Sequence, residues 1–195
     1  LESNCVMAEG YERVELHTER LTLRPFELDD VDDTFAFASD PVWAKYLPIR
    51  PNWPQPFTRR DAEEFVARQV LTNWETTPMF AIVLGTTVVG WIKLNVERQH
   101  EIASVSYALG KDHWGKGLVP EAATGLMDWG FTELGLARMY AGAEGGNTQS
   151  QRVMEKVGMS REAVLRSHHI GREGRVDQVL FGILRQEWEE NRRRR

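Results

Sequence analysis

The chain has 195 residues, of which 42% are hydrophobic and 27% charged, and its formal net charge is −5. This composition predicts one globular domain with a substantial core, and the interspersed charges argue against a general nucleic-acid-binding surface. No run reaches the roughly 18 apolar residues of a membrane span, and the single cysteine and the scattered histidines lack metal-ligand spacing. We therefore expect a cytoplasmic protein that has no metal, membrane or nucleic-acid partner.

Three segments are predicted along the chain. Residues 1–18 are expected to be an N-terminal extension that is partly not native, because the chain begins at Leu1 and Met7 offers an alternative start. Residues 19–188 are predicted to form the folded domain. Residues 189–195 end in four arginines and are predicted to be a basic C-terminal tail.

The first part of the domain is predicted to hold a strand and two helices. Residues 19–26 alternate apolar and polar side chains up to a proline, which predicts a strand, and residues 28–37 predict a helix with an acidic first turn. The loop 40–57 is rich in proline and aromatic residues, so we expect it either to wall a substrate pocket or to fill an edge of the core. Thr58 is predicted to cap the second helix.

Three strands are predicted next, at 79–84, 87–96 and 102–109. Gly85-Thr86 between the first two is typical of a hairpin. Because the strands follow one another at short intervals, we expect an antiparallel meander.

A glycine-rich turn with Gly115 and Gly117 follows the third strand of this meander. Apolar residues then recur at three- and four-residue steps from Val119 to Leu134, which predicts an amphipathic helix. Glycines allow the backbone to approach a ligand closely, and the unpaired N–H groups of a helix start favour an anion. The turn therefore predicts a phosphate or pyrophosphate site beside Lys116, although Gly-x-Gly before a helix can also be only a tight connection.

The remaining elements complete an α/β pattern. Residues 137–143 predict a strand parallel to the one that enters the turn, since a strand, helix, strand crossover is normally right-handed and parallel. A helix is predicted from Asn147, and two final strands are predicted around 163–169 and 176–184.

Two motifs resemble a known family. The first is the turn with its helix start, Trp114-Gly115-Lys116-Gly117-x-x-x-Glu121-Ala122. The second is Asn147-x-x-Ser150-x-x-Val153-x-Glu155-Lys156-x-Gly158-Met159. With them the chain resembles the GCN5-related N-acetyltransferase (GNAT) superfamily, and within it the RimJ/RimL-type branch of ribosomal-protein alanine and serine N-acetyltransferases. That branch's opening and closing strands are matched by Leu21-Thr22-Leu23-Arg24-Pro25 and Asp177-Gln178-Val179-Leu180.

The resemblance implies a single α/β (α+β) domain with a mixed, strongly twisted sheet of about seven strands, flanked by about four helices. Splayed strands in that sheet would form an acetyl-CoA site. The implied reaction is transfer of an acetyl group from acetyl-CoA to a primary amine, expected to be a protein or peptide N-terminal α-amine, by direct attack on the thioester. A homodimer is a further expectation, because relatives are often dimers.

The resemblance also implies which residues bind the cofactor. The pantetheine arm would enter beside the strand that ends at Leu109, and the pyrophosphate would lie on the amides of the turn. The implied cofactor-binding residues are Tyr107, Ala108, Leu109, Trp114, Gly115, Lys116, Gly117, Leu118, Asn147 and Ser150. Asp112 stands where the family's motif usually has Arg or Gln, so no side-chain contribution is expected from it. Asn147 can also be only a helix cap, and Ser150 can equally be only a first-turn residue.

Four residues are implied to be catalytic: Ser150, Glu101, Glu144 and Tyr107. A serine hydroxyl near the thiol could protonate the departing thiolate. The branch often has a glutamate base on its central strand, but Ser104 occupies that position here. Glu101 and Glu144 are therefore the candidate bases acting through water, although both could be solvated charges. Tyr107 matches the family's tyrosine and could also serve packing alone.

Several alternatives are left open by the sequence. A small-molecule amine, such as an antibiotic, a polyamine or an amino acid, could be the acceptor, or the chain could be a non-catalytic acyl-CoA-binding module. Gly110-x-x-x-x-Gly115-Lys116 also matches a P-loop up to Gly117, where a nucleotide phosphotransferase needs Ser or Thr to hold Mg²⁺. Histidines 100, 113, 168 and 169 are catalytic candidates only by their chemistry.

Overall fold

The structure is a computed structural model that describes residues 13–46, 56–172 and 174–194. The strands are β1 (Leu16–His17), β2 (Leu21–Pro25), β3 (Met79–Leu84), β4 (Thr87–Glu97), β5 (Ile102–Leu109), β6 (Arg138–Glu144), β7 (Ser160–Gly171) and β8 (Gly174–Leu184). The α-helices are α1 (Val31–Ala38), α2 (Arg59–Val70), α3 (Leu118–Thr132), α4 (Thr148–Lys156) and α5 (Arg185–Arg193).

One mixed sheet joins all the strands of the described ranges, in the order β1-β2-β3-β4-β5-β6-β8-β7. Neighbours from β1 to β5 are antiparallel, β5 and β6 are parallel, and β6, β8 and β7 are again antiparallel. The predicted α/β fold with a mixed sheet is confirmed. The described chain has eight strands and five α-helices, where about seven and about four were expected.

The two additional elements lie at the ends of the described chain. β1 pairs with β2, so the end of the predicted N-terminal extension contributes to the sheet. The predicted boundary between residues 188 and 189 falls inside α5, whose Trp188 stacks on Phe131 with ring centroids 5.1 Å apart. Packing of this aromatic pair attaches the start of the basic tail to the domain.

The sheet carries a hydrophobic core on each face. The first face packs against α3, α4 and α5, and its core includes Met139, Ala141 and Ala143 of β6. The second face packs against α1 and α2, and its core includes Trp91 and Phe65. Because side chains alternate along a strand, Glu144 projects toward the second face. In the described ranges, no helix is both long and apolar enough to cross a membrane.

A gap between β5 and β6 is the feature that positions the site. The two strands pair only from Ile102 to Ser104 with Arg138 to Tyr140. Beyond this point β5 continues to Leu109 and β6 to Glu144, and the two strands no longer pair with each other. The ends of both strands therefore present backbone groups that a ligand can reach.

The predicted start of the second helix and the predicted end of the helix after the turn are both found in the described residues. Thr58 and Asp61 form the predicted capping box at the start of α2. Gly135, with φ of +69°, follows α3 at the predicted stop. Of the loop 40–57, which we expected to wall a pocket or fill an edge of the core, residues 47–55 lie outside the described residues.

Candidate functional site

A cavity of about 350 Å³ lies between the end of β5, the start of α3 and α4. All the predicted cofactor-binding residues line it except Lys116, which lies between the two lining glycines. Trp43, from the core of the second face, and Ser150, from α4 on the first face, are both in its wall. The cavity therefore has wall residues from both faces of the sheet beside the end of β5.

The glycine-rich turn presents unpaired amides at the start of α3. Gly115 and Gly117 have φ of +74° and +76°, a backbone region that favours glycine. In the described chain, the backbone N–H groups of residues 115–118 have no hydrogen-bond acceptor. A side chain at Gly115 would meet nothing within 4 Å, so the turn is open to a ligand. This geometry suits an anion at a helix N-terminus.

Trp114 lines the cavity, but its backbone amide is already paired. Its backbone N–H donates to the carbonyl of Lys111 at 3.0 Å, so this amide is not available to an anion. Its indole Nε1 donates to the carbonyl of Leu109 at 2.7 Å. Trp114 therefore fixes the turn to the end of β5, and the unpaired amides begin at Gly115.

Tyr107 and Ser150 meet in the cavity wall. The Tyr107 hydroxyl lies 2.7 Å from Ser150 Oγ and also donates to the Ser150 carbonyl at 3.2 Å. Burial raises the pKa of the Tyr107 phenol to about 12, and the hydrogen bond with Ser150 only partly opposes this shift. The phenol is thus protonated at neutral pH and can donate to the serine hydroxyl.

Asn147 is the N-cap of α4. Its side-chain oxygen accepts the backbone N–H of Ser150 at 3.1 Å, so the predicted cap is present. Its side-chain NH₂ has no acceptor among the residues that the structure describes, and Asn147 lines the cavity. One residue can therefore both orient Ser150 and donate to a ligand.

The two candidate bases lie in very different places. Glu101 is exposed in the turn before β5, with φ of +54°, and its carbonyl accepts the Ala137 N–H at 2.7 Å. Tyr107 is roughly 20 Å farther along that strand at about 3.3 Å per residue. The structure does not bring Glu101 to the cavity.

Glu144 ends β6 at the second-face rim of the gap. Its side chain is 15% exposed, and its Oε1 lies 3.4 Å from Nε2 of His169. Its carbonyl accepts the N–H of Asn147 at 2.8 Å, which ties it to the start of α4. Ser104, at the position of the branch's glutamate, accepts a hydrogen bond from Asn95 at 2.9 Å.

Two cationic side chains of α4 lie in the cavity wall. Arg152 and Lys156 of α4 line it, together with His113 before the turn. Among the described residues that line it there is no Asp or Glu. These α4 cations were not among the expected site residues, although their spacing of four residues predicts one helix face. In the described chain, no group of three His, Cys, Asp or Glu side chains could hold a metal ion.

Known proteins share this sequence and this fold. The model of the acetyltransferase (GNAT) domain family matches residues 20–160. An uncharacterized N-acetyltransferase, p20 of Bacillus licheniformis, is 34% identical over 176 residues, which cover 89% of this chain and 97% of that protein.

Solved structures agree with this match. A GNAT-family acetyltransferase from Bacillus anthracis superposes with a TM-score of 0.78 and 27% identity, over 89% of this chain and 99% of that one. RimL, the ribosomal L7/L12 α-N-protein acetyltransferase solved with coenzyme A, has the same fold with a TM-score of 0.78 and 15% identity, over 88% of this chain and 98% of RimL.

The family match covers well over half of the chain, and it replaces the P-loop alternative, which depended on the same turn. The expected family and the expected enzyme class are both confirmed. The chain belongs to the GNAT acetyltransferase family and is an acyltransferase, an N-acetyltransferase of the GNAT type.

Proposed function

We propose that the protein transfers an acetyl group from acetyl-CoA to the α-amine at the N-terminus of a peptide or protein. The observation that carries the proposal is the position of the cavity. It joins the unpaired amides of residues 115–118 to the Tyr107–Ser150 pair, along the part of β5 that is no longer paired with β6. A long ligand can thus be anchored at one end and react at the other.

The residues present fit coenzyme A. The amides of residues 115–118 would hold its diphosphate. The positive charges of Arg152 and Lys156 would attract the phosphate groups of coenzyme A and favour an anionic ligand over a neutral one. The unpaired strand ends at the gap would hydrogen-bond the amide groups of the pantetheine arm. Acetyl-CoA supplies the activated acetyl group. A non-catalytic acyl-CoA-binding module would share these features, but it would not need the hydroxyl pair.

The proposed reaction is one direct transfer. The amine nitrogen attacks the thioester carbonyl, a C–N bond forms, the C–S bond breaks and the thiolate leaves. Ser150 would give its hydroxyl proton to the thiolate and regain one from solvent, while Tyr107, which stays protonated because of its raised pKa, orients the serine hydroxyl through their hydrogen bond. On the acceptor side the amine loses one proton, which balances the proton that the thiolate gains.

Glu144, rather than Glu101, is the residue that would accept the proton lost by the amine. Glu144 lies at the rim of the gap, and a water molecule would bridge the remaining distance to the amine. His169, 3.4 Å away and 32% exposed, can orient the carboxylate and pass the proton to solvent. The open second face beside β6 would admit the acceptor.

An α-amine suits this weak base. Its reference pKa of ~7.8 leaves it partly neutral at pH 7, whereas a lysine side chain at ~10.4 is almost fully protonated. RimL is itself named as an α-N-protein acetyltransferase. The homodimer and the cytoplasmic location stay predictions.

An acceptor screen read out by thiol release tests the proposal. Short peptides with Ala or Ser at a free N-terminus should release CoA from acetyl-CoA, and the same peptides with a blocked N-terminus should not. Polyamines, aminoglycosides and amino acids complete the panel. Turnover with these small amines alone would overturn the peptide acceptor, and binding of acetyl-CoA without turnover of any amine would overturn the enzyme activity on amines.

A further inference from the structure

We propose that Arg20 and Glu121 form a positioning pair that aims the amide of Gly117 into the diphosphate site. The proposal rests on the proposed function, because it takes the turn at residues 115–118 as the place where coenzyme A is anchored. Neither residue lines the cavity. Both act through the backbone of the turn, so we treat them as positioning residues.

The carboxylate of Glu121 is held by several donors from the start of β2. Its Oε1 accepts the Thr18 hydroxyl at 2.6 Å and the Arg20 backbone N–H at 2.7 Å. Its Oε2 accepts Nε of Arg20 at 2.7 Å and lies 2.6 Å from Nη2. Hydrogen bonds to a charged acceptor are the strong ones, so the guanidinium has one well-defined position.

The guanidinium then holds the turn itself. Nη1 of Arg20 donates to the carbonyl of Lys116 at 3.0 Å. In a planar trans peptide unit the C=O and the following N–H point in opposite directions. Because Arg20 binds the Lys116 carbonyl on one side, the N–H of Gly117 is directed to the other side, away from Arg20.

Little else holds this part of the backbone. In the described chain, the backbone of residues 115–117 makes two hydrogen bonds, and only one of them comes from a side chain. Lys116 O accepts from the Arg20 side chain, and Gly117 O accepts from the backbone N–H of Glu121 at 3.2 Å. Gly115 and Gly117 both lie in the left-handed region, and glycine has many other accessible backbone conformations. The hydrogen bond from Arg20 to the Lys116 carbonyl therefore restricts the conformation of the turn.

The pair also balances charge beside the anion site. Burial alone would raise the pKa of the Glu121 carboxyl, but the hydrogen bonds from Thr18 and Arg20 and the charge of Arg20 hold it below its usual range. Glu121 is therefore negative at neutral pH in the first turn of α3, where it would repel a diphosphate. Arg20 neutralises it, and its side chain remains 43% exposed.

The experiment measures binding to R20Q, R20K and the wild-type protein, so it needs no known acceptor. The ligands are CoA, 3′-dephospho-CoA and pantetheine, titrated by calorimetry, with pantetheine measured by displacement of CoA. R20Q should weaken both diphosphate-containing ligands by about tenfold or more and leave pantetheine unchanged. R20K keeps the charge but not the planar fork, so it should recover part of the loss.

A second ion pair provides the matched control. Arg138 and Glu162 form a similar contact at the other end of β6, away from the turn, so R138Q should bind CoA like the wild-type protein. Thermal unfolding of each variant checks that it is folded. E121Q, which frees the guanidinium without removing it, should weaken CoA binding less than R20Q.

The outcomes separate this proposal from the proposed function. If the wild-type protein binds pantetheine as tightly as CoA, the diphosphate site itself is overturned. If the wild-type protein prefers CoA but R20Q binds it equally well, only the positioning pair is overturned. An equal loss for pantetheine and CoA in R20Q also overturns it, because the effect would then be general and not specific to the diphosphate.

Discussion

Tyr107 is the single residue whose chemistry follows most directly from its surroundings. Tyr107→Phe removes the hydroxyl 2.7 Å from Ser150 Oγ and leaves the ring in place. We expect kcat to fall by about 10- to 100-fold with little change in KM for acetyl-CoA, because the lost contact serves the leaving thiolate. Steady-state thiol release measures both constants. Tyr140→Phe, which removes a hydroxyl bonded to Glu97 outside the cavity, is the control.

The shifted pKa of Tyr107 gives this variant a second signature. The folded-state value is about 12, above the ordinary phenol value near 10. A raised acid pKa contributes stability that is complete below pH ~10 and is lost as pH rises through the folded value. Urea unfolding of wild-type and Tyr107→Phe protein should therefore converge between pH 10 and 12. A constant difference across this range would contradict the buried, neutral phenol.

Glu144 is expected to be the base, so Glu144→Gln should lower kcat at neutral pH by about 100-fold, while Glu101→Gln should leave it unchanged. His169→Gln should have a smaller effect, since His169 acts through Glu144. The pH profile of kcat distinguishes chemistry from folding, because a loss of the base shifts the profile and a loss of stability does not. The reverse order of the two glutamate variants would assign the base to Glu101.

Single-residue roles could be predicted only where a motif carries them. Gly117 was expected from the glycine-rich turn before a helix, and Asn147 and Ser150 were expected from the family resemblance. The contact of Tyr107 with Ser150 joins residues 43 apart, and the pairing of Arg20 with Glu121 joins residues 101 apart. No local pattern encodes such distances, because they are set by how β2, β5 and the helices pack together.

The turn before α3 can be tested as an element by comparing two glycines. Gly117 and Gly135 have φ of +76° and +69°, and a Cβ on either would meet no atom closer than 3.6 Å. Alanine at either position should destabilise the fold by about 1–2 kcal/mol through backbone strain. Only Gly117→Ala should also lose CoA affinity, and Gly117→Val should lose more. Equal affinities in the two alanine variants would show that the turn does not bind the diphosphate.

Elements with strong periodicity were predictable, and those that depend on neighbours were not. The apolar face of α3 and the hairpin of β3 and β4 follow from the sequence pattern. β1 has only two residues, too few for a detectable alternation, and it exists because β2 offers an edge to pair with. The residue at which β5 and β6 part could be expected only by resemblance, because the pairing of strands is a property of the twisted sheet.

At the scale of the whole molecule, the cavity connects two otherwise separate cores. Trp43 belongs to the core of the second face, and α4 with Ser150 belongs to the first face. Both contribute to one cavity wall beside the end of β5, beyond the last residue that pairs with β6 in the described chain. A ligand in this cavity contacts both layers, so its binding energy should stabilise the whole domain.

Coenzyme A should therefore raise the melting temperature of the protein as a single transition. At a concentration of 100 times its Kd, a ligand that binds only the folded state adds about 2.7 kcal/mol. For a domain of this size that corresponds to a rise of roughly 5–10 °C. Differential scanning calorimetry across a range of CoA concentrations measures it. ATP with Mg²⁺ should cause no comparable rise. The Gly117→Ala variant should require a higher CoA concentration to reach the same rise in melting temperature. If CoA shifted only part of a split transition, the two layers would unfold independently and the cavity would not join them.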